Sequence, residues 1–193
     1  MDELLPRLRS VPYYQRRFAA LFPDAGLTAQ TLALAIAAFE RNIISTNSPF
    51  DRYLQGNLAA MDQSAIQGMR LFEGKARCVL CHGGSNFTDN GFHNIGINNG
   101  DQGRSKIQAG SINYGAFKTP GLRNVILTGP YMHDGSLQSL EAVIRYYNTG
   151  GNMARNLDPL MQPLKLTEEE VFDLLAFLGS INNPVTIQRP QIP

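Results

Sequence analysis

The sequence has 193 residues, of which 43% are hydrophobic and 17% charged, which suits one globular domain with or without an appended piece and excludes a disordered chain. Seventeen Lys and Arg against sixteen Asp and Glu leave a net charge of +1, so charge gives no reason to expect nucleic acid or an anionic membrane as a partner. No apolar run approaches the roughly 18 residues of a membrane span, and the acidic start lacks the apolar core of a secretory signal, so we expect a mature form.

The first part of the chain predicts helices. Residues 2–22 have helical apolar spacing interrupted at Pro12, which favours two short helices. Thr28 is the expected N-cap of a third helix, whose apolar residues are Leu32, Ile36, Phe39 and Ile43. Ser48-Pro49-Phe50-Asp51 combines a capping hydroxyl, a proline at the first helical position and an acid two residues later, so it predicts the start of a fourth helix.

A helix predicted from about Asp62 to Phe72 leads directly to the haem-attachment motif, Cys78-Val79-Leu80-Cys81-His82. Two thiols followed by an imidazole at this spacing are what covalent attachment of a c-type haem requires. The two sulfurs would form thioethers to the porphyrin edge, and His82 would bind the iron through one ring nitrogen. Its other N–H needs an acceptor, which the sequence does not identify.

Two other uses of these cysteines are open. A thioredoxin-like redox pair would need βαβ surroundings, and a structural zinc site would need a fourth ligand beyond the two thiols and the imidazole. The chain has only two further histidines, His93 and His133, and no second cysteine pair. Haem is therefore the favoured interpretation, and neither cysteine is left for a disulfide.

The chain beyond the motif changes character. Residues 83–115 are rich in Gly, Asn, Ser and Asp, which predicts a long loop wrapped on the cofactor. Residues 117–135 are punctuated by Pro and Gly and predict neither a regular strand nor a long helix. Two more helices are expected, one capped by Ser139 and one preceded by the capping box of residues 167–170. The proline-containing tail after Asn183 should form an extended arm.

The second axial position of the haem decides the chemistry. A thioether or a second imidazole there favours electron transfer, whereas an open position admits peroxide. Spacing alone ranks a methionine first, because Met with His is a common pair in c-type cytochromes. The candidates are Met132, Met153, Met161, His93, His133 and Tyr147. Three side chains that carry N–H donors are candidate partners for the haem propionates: Lys118, Arg123 and His133.

Several segments of the chain together resemble the C-terminal half of bacterial di-haem cytochrome c peroxidases, a superfamily that includes the MauG-type oxidases. The resemblance extends from about Leu5 to Ile181, and its most specific parts are Cys78–His82, Phe117–Asn124, Leu127–Ser136 and Leu140–Val143. It implies an all-α fold, with a cytochrome c-like haem domain with long irregular loops at residues 57–193. Residues 1–56, a partial helical domain, resemble the end of the family's N-terminal haem domain.

The resemblance also implies ligands. The family takes the distal ligand of the C-terminal haem from the helix after the His-Asp-Gly turn, as Met in classical peroxidases and Tyr in MauG-type members, and Tyr147 matches that position. This replaces the methionine that spacing alone ranks first, and a phenolate would favour ferric iron. Backbone oxygens of Thr128 and Pro130 match the family's calcium site between its two haem domains, where the remaining protein ligand comes from the N-terminal domain.

The expected function follows from the single motif. The chain would be a periplasmic protein with one covalent haem c, which passes electrons to, or shares oxidising equivalents with, a peroxide-reactive haem on a missing N-terminal domain or a second haem-bearing chain. Its expected partners are a small electron-donor protein and hydrogen peroxide. The alternatives are a monohaem electron-transfer protein without its own substrate and a stand-alone peroxidase in which Tyr147 leaves the iron.

Overall fold

The structure is a computed structural model that describes residues 1–97, 99–187 and 191. It divides into two compact units. One unit comprises Met1–Ile44 with the described residues from Val185 onward, and the other comprises Ser45–Pro184. The domain limit predicted between residues 56 and 57 falls inside the second unit and stays a prediction about the family's domains. The extended arm predicted after Asn183 lies partly outside the described residues, at positions 188–190 and 192–193.

The described residues of the first unit form three helices, as predicted: α1 (Leu4–Arg9), α2 (Pro12–Leu21) and α3 (Ala29–Glu40). Pro12 is the first residue of α2, where its missing N–H costs no hydrogen bond. The hydroxyl of Thr28 accepts the Thr31 N–H and so caps α3. The apolar face predicted for α3 remains largely exposed, with Ile36 50% and Phe39 53% accessible.

The longer regular elements of the second unit are also helices: α4 (Pro49–Leu54), α5 (Gln63–Glu73), α6 (Leu140–Thr149) and α7 (Glu168–Ser180). The caps predicted at Ser48, Ser139 and Thr167 are present, because a side-chain oxygen of each accepts a backbone N–H of the helix that follows. Asp62, where the sequence predicted the start of α5, caps that helix in the same way. The described residues between α5 and α6 also form an antiparallel pair of two-residue strands, β1 (Phe92–His93) and β2 (Phe117–Lys118), which no sequence pattern predicted.

The core of the second unit lies where α5 crosses α7. Gly68 permits the close approach, because a Cβ there would lie 1.9 Å from the Asp173 carbonyl oxygen. Beside the crossing, four phenylalanine rings with centroids 5.1–6.2 Å apart form an aromatic cluster: Phe50, Phe72, Phe87 and Phe177. Ring pairs at such separations are favourable beyond the area they bury. This cluster supports the segment that follows α5, which carries the haem-attachment motif.

None of the helices in the described part of the chain is long and apolar enough to cross a membrane.

Candidate functional site

A cavity of about 460 Å³ lies in the second unit beside the haem-attachment motif. Cys78, Cys81 and His82 form part of its wall. Much of the remaining wall is apolar and comes from α6, α7 and the segments after the motif, including Ile95, Leu122, Val143, Ile144, Leu174 and Leu178. The two thiols and the imidazole of the motif therefore border one partly open, mainly apolar space.

Both motif cysteines are free thiols. Burial raises the pKa of the Cys78 thiol to about 12. Burial, together with the charges of Asp89 and Asp158, raises the pKa of the Cys81 thiol to about 11. Redox-active Cys-x-x-Cys pairs work through a thiolate whose pKa is lowered, whereas the pKa values of Cys78 and Cys81 are raised. The geometry favours attachment points over a thioredoxin-like centre.

The imidazole of His82 is oriented by a backbone carbonyl. Its Nδ1–H donates to the oxygen of Phe87 at 3.0 Å, which leaves Nε2 for a metal. Burial lowers the pKa of His82, and the carbonyls of Phe87 and Pro120 offset this only in part. A neutral ring with one nitrogen available is the form that binds iron. Phe87 is thus the acceptor that the sequence could not identify.

His93 has a different environment. Its Nδ1 lies 2.6 Å from a carboxylate oxygen of Asp158, and its Nε2 lies 2.9 Å from one of Asp89. Burial lowers the pKa of His93, but the hydrogen bonds to Asp158 and Asp89 outweigh it and raise the pKa above its ordinary value. The Cys81 sulfur lies within 4.8 Å of the ligand atoms of Asp89 and His93, a grouping that could hold a metal ion. A ring that donates from both nitrogens has no lone pair for zinc or iron.

The residues that line the cavity also include Tyr147, on α6. Burial raises the pKa of its phenol, and the nearby Cys78 and Cys81 sulfurs raise it further. The neighbouring Tyr146 is turned elsewhere: its hydroxyl donates to the Ile95 carbonyl at 2.8 Å and accepts the Asn152 N–H at 3.1 Å. Of the two adjacent phenols, Tyr147 is therefore the one that borders the cavity.

The remaining candidates for the second axial position differ in whether they line the cavity. Met132, Met161 and His133 line the cavity together with His93. Met153 is 93% exposed and is not among the described residues that line the cavity.

The three predicted partners of the haem propionates also differ in whether they line the cavity. Lys118 and His133 line the cavity, where the His133 ring stacks on Phe117 with centroids 3.6 Å apart. Arg123 is not among the described lining residues. Its guanidinium donates to both carboxylate oxygens of Asp51 at 2.9 Å each and, through Nε, to the Ser85 carbonyl at 2.7 Å. The structure thus gives each guanidinium nitrogen a protein partner where the sequence predicted a haem propionate.

Thr128 and Pro130, the residues expected to bind calcium, are exposed and border the rim of the same cavity. The Thr128 hydroxyl donates to the Val125 carbonyl at 3.0 Å. Because the expected ligands are backbone oxygens completed by another domain, the calcium site stays a prediction.

The residues of the cavity fit a covalent haem c. Two thiols outside any disulfide, an imidazole held neutral with one nitrogen available and the phenol of Tyr147 all line a mainly apolar space. The sequence missed two contributors, the Phe87 carbonyl and Asp158. Neither gave a signal, because a backbone acceptor has no residue type and Asp158 is separated from His93 by 65 positions.

The chain is similar to known proteins of one family. The family model described as di-haem cytochrome c peroxidase matches residues 1–59. The methylamine utilization protein MauG of Methylorubrum extorquens is 42% identical over 199 residues, which cover all of this chain and 56% of that protein. The chain belongs to the di-haem cytochrome c peroxidase and MauG family.

Other relatives show how much of a family member the chain represents. The cytochrome-c peroxidase IdrP1 of Denitromonas iodatirespirans is 35% identical, over 97% of this chain and 59% of that protein. The crystal structure of a MauG-like protein associated with microbial copper homeostasis has a TM-score of 0.77 and 33% identity, over 94% of this chain and 62% of that one. This di-haem peroxidase-family chain therefore spans less than two thirds of the length of these relatives.

Proposed function

We propose that this chain carries one covalent haem c, attached through Cys78 and Cys81 and bound axially by His82 and Tyr147. The observation that carries the proposal is that the imidazole and the phenol border one apolar cavity beside two free thiols. When bound, haem c supplies one-electron redox chemistry at an iron whose potential depends on its axial ligands.

The protein's own residues have separate tasks. The Phe87 carbonyl holds the His82 ring in one tautomer, and the apolar wall limits the access of water to the metal. Burial keeps the Tyr147 phenol protonated in the absence of a metal. A bound cation reverses that tendency, since it stabilises the phenolate.

Within the family, the proposed role of this chain is that of the C-terminal haem half of a periplasmic enzyme. It would pass electrons to, or share oxidising equivalents with, a peroxide-reactive haem on an N-terminal domain or a second chain. Hydrogen peroxide is the proposed substrate of the complete enzyme, and a small protein its electron donor. The backbone oxygens of Thr128 and Pro130 would contribute to a calcium ion at the boundary with that N-terminal domain.

One observation favours a second candidate, a monohaem electron-transfer protein: the 193 residues contain a single Cys-x-x-Cys-His. Finding a second such motif in a partner chain or an adjoining segment would favour the di-haem enzyme. The absence of both, with no peroxide turnover, would favour the electron-transfer protein.

The proposed ligands can be tested by spectroscopy of the ferric protein. Intact mass under denaturing conditions should show one covalent haem. Tyr147→Phe should change the absorption and electron paramagnetic resonance spectra, whereas Tyr146→Phe, which alters the adjacent phenol, should leave them unchanged. A bare polypeptide mass would refute the haem assignment. An unchanged spectrum in Tyr147→Phe with a changed one in Met132→Leu or Met161→Leu would transfer the ligand role to a methionine.

A further inference from the structure

Arg123 and Asp51 form a largely buried ion pair, with side chains 16% and 15% exposed. The Asp51 carboxylate also accepts the backbone N–H of Ser48 at 2.9 Å and its hydroxyl at 2.8 Å, so the start of α4 holds it in place. Burial raises the pKa of Asp51, but the bonds from Arg123 and Ser48 outweigh it and lower the pKa. The Asp51 carboxylate is therefore an anion in a fixed position, and both terminal nitrogens of the Arg123 guanidinium donate to it.

Arg123 uses its third nitrogen to hold the segment that follows the haem-attachment motif. Nε donates to the Ser85 carbonyl at 2.7 Å, and the guanidinium carbon lies 5.6 Å from the centre of the Phe87 ring. The preceding residue assists, since the Leu122 N–H donates to the Asn86 carbonyl at 3.3 Å. Three consecutive residues, Ser85 to Phe87, are thus held from one side by the chain at Leu122 and Arg123.

The backbone at Phe87 needs such support. Its φ is 54°, in the left-handed region, which is uncommon for a bulky residue and persists only where the surroundings enforce it. This conformation is the one in which the Phe87 carbonyl accepts the Nδ1–H of His82. The Phe87 ring lies in the aromatic cluster, which fixes the side chain, whereas the contacts of Arg123 act on the peptide segment just before it.

We infer that Arg123 is a positioning residue for the iron-binding histidine: anchored on Asp51, it holds Ser85–Phe87 so that the Phe87 carbonyl fixes the ring plane and tautomer of His82. The inference rests on the proposed function, because it concerns His82 as an axial ligand. When the ring nitrogen that does not bind the metal donates a hydrogen bond, the imidazole becomes more basic and favours ferric over ferrous iron. Weakening the Arg123 contacts should therefore raise the reduction potential.

The test uses the haem-loaded chain with Arg123→Lys, which keeps the charge but cannot reach both Asp51 oxygens and the Ser85 carbonyl together. We expect a higher midpoint potential than in the unaltered chain. The Nδ1–H proton of His82 should also exchange with solvent about tenfold faster, because a hydrogen bond of ordinary strength is lost. Asp51→Asn removes the anchor but leaves the Arg123 bond to Ser85, so its changes should have the same direction and be smaller. Ser64→Ala is the matched control, because it removes a hydrogen bond to Asp173 between α5 and α7.

The outcomes distinguish failure of this inference from failure of the proposed function. If the unaltered chain carries no covalent haem, the proposed function fails. If the haem is present and both the potential and the proton exchange of Arg123→Lys match those of Ser64→Ala, Arg123 has only a structural role and the inference is overturned. Should Arg123→Lys fail to accumulate, Asp51→Asn decides: an unchanged potential in that variant overturns the inference as well.

Discussion

The crossing of α5 and α7 at Gly68 makes a sharp prediction for the substitution Gly68→Ala. The added Cβ would lie 1.9 Å from the Asp173 carbonyl oxygen and 2.8 Å from the Phe177 Cβ. Real Cβ contacts below 3.0 Å essentially do not occur, so the two helices must separate by about 1 Å. The obstructing carbonyl belongs to the backbone of α7 and cannot turn aside as a flexible side chain would.

The expected size of the effect combines two opposing contributions. Overpacking costs about 1–3 kcal/mol, and here the upper end applies because backbone obstructs the new methyl group. Replacing Gly by Ala within a helix returns about 1 kcal/mol. The net loss in unfolding free energy should be about 2 kcal/mol, or about 1 M in the urea midpoint for a slope of about 2 kcal/mol per M.

A matched substitution on the facing helix isolates the clash. At Gly179, in α7, an added Cβ would meet no heavy atom of the described residues within 4 Å beyond its own chain neighbours and helix backbone. Gly179→Ala should therefore leave stability unchanged or raise it by up to about 1 kcal/mol. Both variants are measured by urea unfolding monitored by circular dichroism, with equal haem content. Equal stability of Gly68→Ala and the parent protein would show that the helices separate without cost, and would refute the reasoning.

Two further predictions concern pH and association. Burial lowers the pKa of His93, but the Asp158 and Asp89 carboxylates outweigh burial and raise that pKa above 6.5. The stability that His93 contributes is therefore complete below about pH 6.5 and is lost as the pH rises through the raised pKa. His93→Gln should lack this decline in the urea midpoint, and an identical pH profile in the two proteins would contradict the role of the two carboxylates. Because burying a side chain such as Ile36 or Phe39 stabilises by about 1.5–3 kcal/mol, the exposed face of α3 should drive self-association or pairing with a haem-bearing chain in sedimentation experiments. A monomer that alone reduces peroxide at about 10 s⁻¹, a typical enzyme rate, would contradict both the pairing and the proposed division of labour.

The helices could be predicted from the sequence because their signals are local. A cap such as Ser48 or Thr28 acts on N–H groups two or three residues away, and apolar spacing reports a face within one segment. The haem-attachment motif is equally local, since five consecutive residues carry the thiols and the imidazole. These features required no knowledge of how distant segments meet.

The strand pair β1 and β2 and the environment of His93 could not be predicted in this way. Two-residue strands have too little pattern to be recognised, and their pairing joins segments more than twenty residues apart. His93 appeared in the sequence as a candidate axial ligand because histidine is a common ligand type. Its two carboxylate partners make it a double donor instead, and this follows only from the positions of Asp89 and Asp158 in space.

Arg123 shows how one residue type can support two different predictions. A cation near a haem predicts a propionate partner when only the sequence is considered, because a carboxylate on the cofactor needs a donor. The chain supplies a competing carboxylate 72 positions earlier, at Asp51, whose sequence signal was that of a helix cap. Since the start of α4 and the ion pair use the same Asp51 carboxylate, that helix start and the support of Ser85–Phe87 are one structural unit. The two segments that contain them therefore depend on each other for the orientation of His82, although no periodicity in the sequence connects them.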